Sequence, residues 1–298
     1  MQALWMVLGA FFFASMAVCV KYASSTFNSA ELVFWRGLIG MGLLWGIARH
    51  HRVGLATTYP AMHAWRSLVG VISMGAWFYA IGGLPLATAL ALNYMSSVWI
   101  AAFVLGGMLM AWNPRRGSAA LRHQGPLALA VLAGFAGVVM VLRPSMDVQQ
   151  AFAGLMGLIS GLVAALAYMQ VTALGRLGEP DSRIVFYFSV GSAAGGGLGM
   201  LLTGLSPWDW AAAAWLPPIA VLAALGQLCM TRAFSQGSTL VVASLQYLGI
   251  VFGGIYSVLL FAEPVPLVGW LGMVLIVASG IAATVLRARA ASTLSQEP

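Results

Sequence analysis

Polar residues along this chain neither alternate with apolar ones nor recur at helical spacing. They sit mainly between long apolar blocks, each about the 20 residues of α-helix needed to cross a hydrocarbon core of roughly 30 Å. Ten such blocks can be read, at 2–22, 29–48, 65–82, 86–111, 126–142, 153–174, 183–203, 214–234, 239–261 and 266–286. A membrane β-barrel would alternate lipid-facing and lumen-facing residues, and these runs are apolar on every side. The expected fold is an all-α integral membrane protein with ten transmembrane helices.

The blocks also repeat. At an offset of 153, Ala80-Ile81 falls on Ala233-Phe234 and Leu92-Asn93-Tyr94 on Leu245-Gln246-Tyr247. At an offset of 150, Leu8 falls on Leu158, Ala14 on Ala164, Ala17 on Ala167 and Glu31 on Asp181. This reads as two five-helix units, 1–150 and 151–289, followed by a tail at 290–298. A unit with an odd number of spans inserts its second copy upside down. Inverted repeats of this kind build alternating-access carriers, with the substrate near the midplane between the halves.

Composition agrees: 61% of residues are hydrophobic and 7% charged, against about 25% charged in soluble domains. With the N-terminus inside, the inner loops and helix ends hold Arg49, Arg52, Arg66, Arg115, Arg116, Arg122, Arg176, Arg183, Arg232, Arg287 and Arg289. The outer side holds only Lys21, Arg36 and Arg143. That asymmetry predicts cytoplasmic termini and a bacterial inner-membrane location. It also accounts for the net charge of +7, so nucleic acid is not an expected partner. The first block lacks a basic start and a processing site, so it reads as a retained helix. Cys19 and Cys229 fall inside spans and suggest neither a disulfide nor a metal site.

Lys21 closing the first span, Glu31 and Arg36 opening the second, Tyr79-Ala80 with Ala87, Ala89 and Asn93-Tyr94, then Arg232-Ala233-Phe234, Ala243, Gln246, Phe261-Ala262-Glu263-Pro264 and the Gly269, Gly272, Leu275-Ile276, Gly280 series form an ordered set. In that set the chain resembles the drug/metabolite transporter superfamily, in its EamA group of ten-helix carriers. It is most similar there to bacterial YddG-type exporters of aromatic amino acids. Two features depart from that pattern. Met95-Ser96-Ser97-Val98 replaces a proline common midway in the fourth helix, and no glutamate stands near Ala111. The fourth helix is therefore expected to run straighter than in many relatives.

Polar groups within spans cost several kcal/mol if unpaired. Asn93 and Gln246 enter the bilayer from opposite sides to depths of roughly 10–12 Å at 1.5 Å per residue. Their symmetry-related placement suits substrate ligands, and the competing role is an amide bridge between helices. Ser244 joins them as a candidate. Among the aromatics, Tyr79, Tyr94, Trp99 and Tyr168 are candidates to enclose an apolar side chain. Trp5, Trp112, Trp208, Trp210, Trp215 and Trp270 suit an interfacial belt. Lys21, Glu31 and Arg36 cluster near the outer face as a gate or ion pair. Gly195-Gly196-Gly197, Gly253-Gly254, Gly37, Gly40 and Gly42 allow close helix approach.

No acid lies deep in a span, and His50, His51, His63 and His123 sit in or beside cytoplasmic loops, so no proton relay is visible. No phosphate-binding loop is present, and no motif asks for a cofactor. The expected protein is a monomeric exporter of small amphipathic metabolites. Amino acids with large apolar or aromatic side chains are the class implied by the resemblance. A broad drug or nucleoside exporter is the alternative within the same superfamily. An intramembrane enzyme lacks an embedded catalytic dyad, and a passive channel would line a continuous pore with polar residues.

Overall fold

Prolines and one capping box set most helix starts. The computed structural model describes residues 2–96, 98–100, 102–103, 106, 119–142, 148–236, 245–263 and 265–294. Among these there are ten long helices, one short helix and no strand. Helix α1 is Gln2–Ala23, α2 Ser29–His50, α3 Pro60–Gly83, α4 Leu86–Tyr94, α5 Ala119–Leu142 and α6 Val148–Arg176. Then come α7 Asp181–Thr203, the short α8 Trp210–Ala213, α9 Leu216–Gln236, α10 Leu248–Phe261 and α11 Leu267–Leu294.

Asn28 caps α2 by accepting from Ala30 N–H (3.0 Å) and Glu31 N–H (3.1 Å), while Glu31 accepts from Asn28 N–H (2.8 Å). That reciprocal pair satisfies otherwise orphan donors. Pro60 opens α3 at a position where its missing N–H costs nothing. Gly204 ends α7 with φ 79, a left-handed conformation that glycine adopts without a Cβ clash.

Five helices of the described residues are long and apolar enough to cross a membrane, and four more apolar helices are shorter. Leu129, Val139, Leu198, Leu202 and Leu259 point outward and are largely exposed. Such apolar faces suit lipid contact. The core lies between the helices, around Phe78, Leu86, Leu90, Leu92 and Met95.

The most extensive packing pairs α2 with α7, α5 with α11, α3 with α6 and α1 with α9. Helix α4 packs on α10 and α6, and α1 also on α10. Between α2 and α7 the backbones touch: a Cβ at Gly37 would overlap the Ala193 nitrogen, and one at Gly196 the Phe34 nitrogen. Small residues that admit backbone contact are the usual adhesive between membrane helices.

One sequence expectation is revised. The third and fifth spans begin earlier than expected, at Pro60 and Ala119. The fourth span carries one tightened turn. Its α-helical run closes at Tyr94, where Met95 N–H bonds the Leu92 carbonyl three residues back (3.3 Å), and helix resumes at Ser96. A matching turn stands at Tyr247, between helical Leu245-Gln246 and α10.

Candidate functional site

Seven helices contribute to a central cavity of about 50 Å³, room for a few waters. Phe13 and Met16 come from α1, Arg36 from α2, and Asn93 and Tyr94 from α4. Ala164, Ala167 and Tyr168 come from α6, Phe188 from α7 and Gln227 from α9. Helix α3 gives the largest share: Arg66, Gly70, Ser73, Met74 and Trp77. Their spacing of three, four and seven residues puts them on one helical face.

Electrostatics single out Arg36 and Arg66. Both are buried, at 4% and 3% exposure, and both guanidiniums lie against the Phe188 ring, at 5.0 and 4.0 Å from its centroid. Arg36 Nη1 donates to Ser192 Oγ (3.3 Å), and Arg66 Nη2 donates weakly to Gln227 Oε1 (3.5 Å). The Nε of both residues and Nη1 of Arg66 find no partner among the described residues. Among the described residues, neither arginine forms a salt bridge. A desolvated cation–π contact contributes about 2 kcal/mol, less than the several kcal/mol that ion burial costs. Such a charge in a membrane protein marks a site for a partner ion.

The other buried polar atoms here share the same sign of need. Trp77 and Tyr94 line the cavity, and Trp77 Nε1 and Tyr94 Oη, the latter lying against Gly249, have no partner among the described residues. Asn93 is better satisfied, its Nδ2 donating to Ser160 Oγ (3.1 Å). The cavity therefore offers charged donors and, among the described residues, no anionic acceptor.

Of the residues expected from sequence, Asn93, Tyr94 and Tyr168 meet in this cavity, and Arg36 joins them. Arg36 is not part of a cluster with Lys21 and Glu31. Lys21 instead pairs with Glu263 and donates to the Leu84 carbonyl (2.7 Å). Glu31 holds the α2 cap and accepts from Ser206 N–H (2.9 Å). Tyr79 lies on the outer surface, nearly half exposed, edge-on to Phe152. Trp99 packs edge-on to Phe135 at 4.8 Å, away from the cavity lining. Gln246 is buried, within 3.4 Å of Ser96 Oγ, and is not among the lining residues. Ser244 lies outside the described residues.

Arg66, Phe188, Gln227 and Trp77 were missed as site residues. Gln227 carries the signal that marked Asn93 and Gln246, a lone amide inside an apolar block. Arg66 was assigned to a helix end, but Pro60 at the α3 start puts it almost two turns inside.

The separate roles of the two amides can be tested. Asn93→Ala should weaken transport about 10-fold or more with the protein still folded, the scale of one lost hydrogen bond to a charged group. Gln246→Ala should lower thermal stability in detergent and leave apparent substrate affinity unchanged. Equal affinity losses in both would contradict this assignment.

Each end of the bundle is held by polar contacts. At one end, Glu263 bridges Lys21, the Leu86 N–H (3.0 Å) and Ser257 Oγ (2.7 Å), tying α1, α4 and α10 together. At the other, Glu179 in the α6–α7 connection accepts from Thr57 Oγ1 (2.8 Å) and Arg183 Nη1 (3.1 Å), with His63 Nε2 at 3.5 Å. Arg183 also donates to the Gly54 carbonyl (2.6 Å) and Tyr187 to the Leu55 carbonyl (3.0 Å). Burial alone would push the Glu179 carboxyl up, but the hydrogen bonds from Thr57 and Arg183, with the Arg183 charge, hold it below its ordinary value.

No protein-family model matches the chain. The pseudopaline exporter CntI of Pseudomonas aeruginosa strain UCBPP-PA14 is 31% identical over 284 residues, 93% of each chain. Its counterpart in strain PAO1 is 31% identical over 285 residues, again 93% of each. An uncharacterized transporter of Helicobacter pylori strain 26695 is 26% identical over 279 residues, 90% of this chain and 89% of its own. One crystal structure superposes with a TM-score of 0.66 at 17% identity, covering 97% of this chain and 98% of that one.

Proposed function

This chain belongs to the membrane-transporter family of the pseudopaline exporter CntI, and from that premise we propose that it exports small amphipathic metabolites carrying a carboxylate. It is a transporter and not an enzyme. Aromatic and large apolar amino acids are the first class to test, and we place the chain in the EamA group of the drug/metabolite transporter superfamily. The observation that carries the reading is the donor-rich central cavity, where Arg36 and Arg66 meet Trp77, Tyr94 and Tyr168. A carboxylate would satisfy the guanidiniums through charge-assisted hydrogen bonds. An apolar side chain would lie against the rings, at roughly 0.5–1.5 kcal/mol each.

The mechanism is alternating access between two inverted halves, 1–150 and 151–289, in a monomer with both termini cytoplasmic. Helix packing supports that symmetry. Exchanging α1 with α6, α2 with α7, α3 with α9, α4 with α10 and α5 with α11 maps the main packing pairs onto one another. The α3–α6 contact becomes α9–α1, and α4–α6 becomes α10–α1. The turns at Met95 and Tyr247 fall within one residue of each other at the 153 offset, beside Asn93 and Gln246, and interrupted helices near the midplane are where carriers of this type bind substrate. The present cavity is too small for an amino acid, so loading requires one end of the bundle to part.

Vesicles holding the purified protein provide the test. Labelled phenylalanine should show saturable counterflow, reduced about 10-fold or more by Trp77→Ala or Tyr168→Ala. Because the described cavity lining holds no acid or histidine, collapsing a proton gradient should leave the initial rate nearly unchanged. A nucleoside or drug transported without competition from aromatic amino acids would favour the broad-exporter alternative. A flux that follows an imposed pH gradient would require a proton-carrying acid elsewhere, Glu31 being the first to examine.

A further inference from the structure

The cavity has two cations and, among the described residues, no anion. We infer that its lining, once the bundle parts, selects a net-anionic organic ligand with two carboxylates on an apolar body, in preference to a zwitterion. This rests on the reading of the cavity as the substrate site and narrows the class of molecule that fits it.

An amino acid brings one carboxylate and one ammonium. Its carboxylate can neutralise one guanidinium, which leaves the second unpaired. Its ammonium then enters a space already holding a like charge, with no Asp or Glu in the described lining to receive it. The acceptors on lining residues are all neutral: Gln227 Oε1, which faces Arg66, the Asn93 side-chain oxygen, the Tyr94 and Tyr168 hydroxyls, and Ser73 Oγ, which donates to the Ser160 carbonyl (2.9 Å). The unpartnered atoms are Arg36 Nε, Arg66 Nε and Nη1, Trp77 Nε1 and Tyr94 Oη. Four of these five can only donate. Two carboxylates supply several lone-pair positions for these donors and cancel both charges. Arg36 reaches the cavity from α2 and Arg66 from α3, against the same Phe188 ring, so two short-spaced carboxylates could meet both. Phe13, Met16 and Met74 complete an apolar wall, which suits an organic body and not a bare inorganic ion.

Purified wild-type protein in detergent can be tested by isothermal calorimetry with four probes of similar ring and differing charge: benzylsuccinate, phenylpyruvate, phenylalanine and phenethylamine. Inorganic phosphate is a fifth. Benzylsuccinate should bind tightest, 10-fold or more above phenylalanine, with phenethylamine weakest. Arg36→Gln and Arg66→Gln should each erase most of the benzylsuccinate advantage, and phenethylamine should bind no more weakly than to wild type. Arg66→Lys, which keeps the charge, should retain the order at reduced affinity. Because the wild-type ranking needs no variant, misfolding of the glutamine variants would not protect the inference. Phenylalanine or phenethylamine binding as tightly as benzylsuccinate overturns it, with the substrate-site reading intact. Phosphate matching benzylsuccinate overturns it in favour of an inorganic anion. If no probe binds, both the inference and the substrate-site reading fall.

Discussion

A Gly37→Val protein should fail to yield a folded, monodisperse species, while Gly42→Val in the same helix should behave like wild type. The Gly37 position faces α7 at backbone contact. A Cβ there would overlap the Ala193 nitrogen and lie 2.8 Å from both the Ser189 carbonyl oxygen and the Ser192 carbonyl carbon. No side chain can rotate away, so the helices themselves must separate. Overpacking a core commonly costs about 1–3 kcal/mol, and meeting main chain over an extended contact puts this substitution at or above that range. Gly42 meets nothing within 4 Å and controls for the general effect of valine in a helix. The functional stake is local, since Arg36 precedes Gly37 and bonds Ser192 across the same seam. Size-exclusion profiles and thermal unfolding in detergent measure the outcome. Equal stability of the two variants would show that α2 and α7 do not need this approach.

Glu179→Ala should release the end of the bundle where α2 turns into α3. Its carboxylate gathers Thr57, Arg183 and His63, and hydrogen bonds to a charged group contribute about 1.5–3 kcal/mol each. Removing it leaves Arg183 without its counter-charge and His63 without its polar neighbour, and loosens residues 51–59 from α7. A cysteine placed at Leu55 should then react several-fold faster with a polar maleimide. The native Cys19 and Cys229 are buried and contribute little background. The pH dependence has a defined sign. Glu179 is held below its ordinary value, so its contribution is complete above the usual carboxylate range near pH 4.3 and is lost as pH falls through the depressed value. Because the thiolate is the reacting form and its fraction falls with pH, each labelling rate is divided by that of the same cysteine in denatured protein at the same pH. So normalised, labelling of the otherwise wild-type protein should be flat at neutral pH and rise only in acid. Unchanged labelling in Glu179→Ala would mean that the Arg183 and Tyr187 contacts to Gly54 and Leu55 hold this end alone.

Segment lengths and hydrophobicity carried the helical architecture, because spanning a bilayer is a demand on composition that any reading of the chain can detect. Orientation about each helix axis was another matter. In Tyr79 and Trp99 an aromatic at plausible depth was read as facing the cavity, yet both point elsewhere. A helix apolar all round has no polar face to mark its inner side, so depth could be counted and azimuth could not. Arg66 shows a different loss. Charge counting treats every arginine near a loop as a topology signal, and only the early start of α3 at Pro60 reveals that this one lies inside. Asn93 was legible because an amide in an apolar block needs a partner whichever way it faces. The turn at Met95 was not, since no proline or glycine announces it.

The pair of guanidiniums in the cavity has an electrical consequence. Membrane voltage does work of about 2.3 kcal/mol per elementary charge for each 100 mV crossed. A zwitterion leaving a bacterium gains nothing from that field, whereas a doubly negative solute is driven outward by the inside-negative potential, twice over. A carrier that selects such a solute needs no internal acid to shuttle protons, because the energised membrane already gives the flux its direction. Clamping that voltage with potassium and valinomycin would therefore govern the rate of efflux, and dissipating it would leave the solute to its concentration gradient alone.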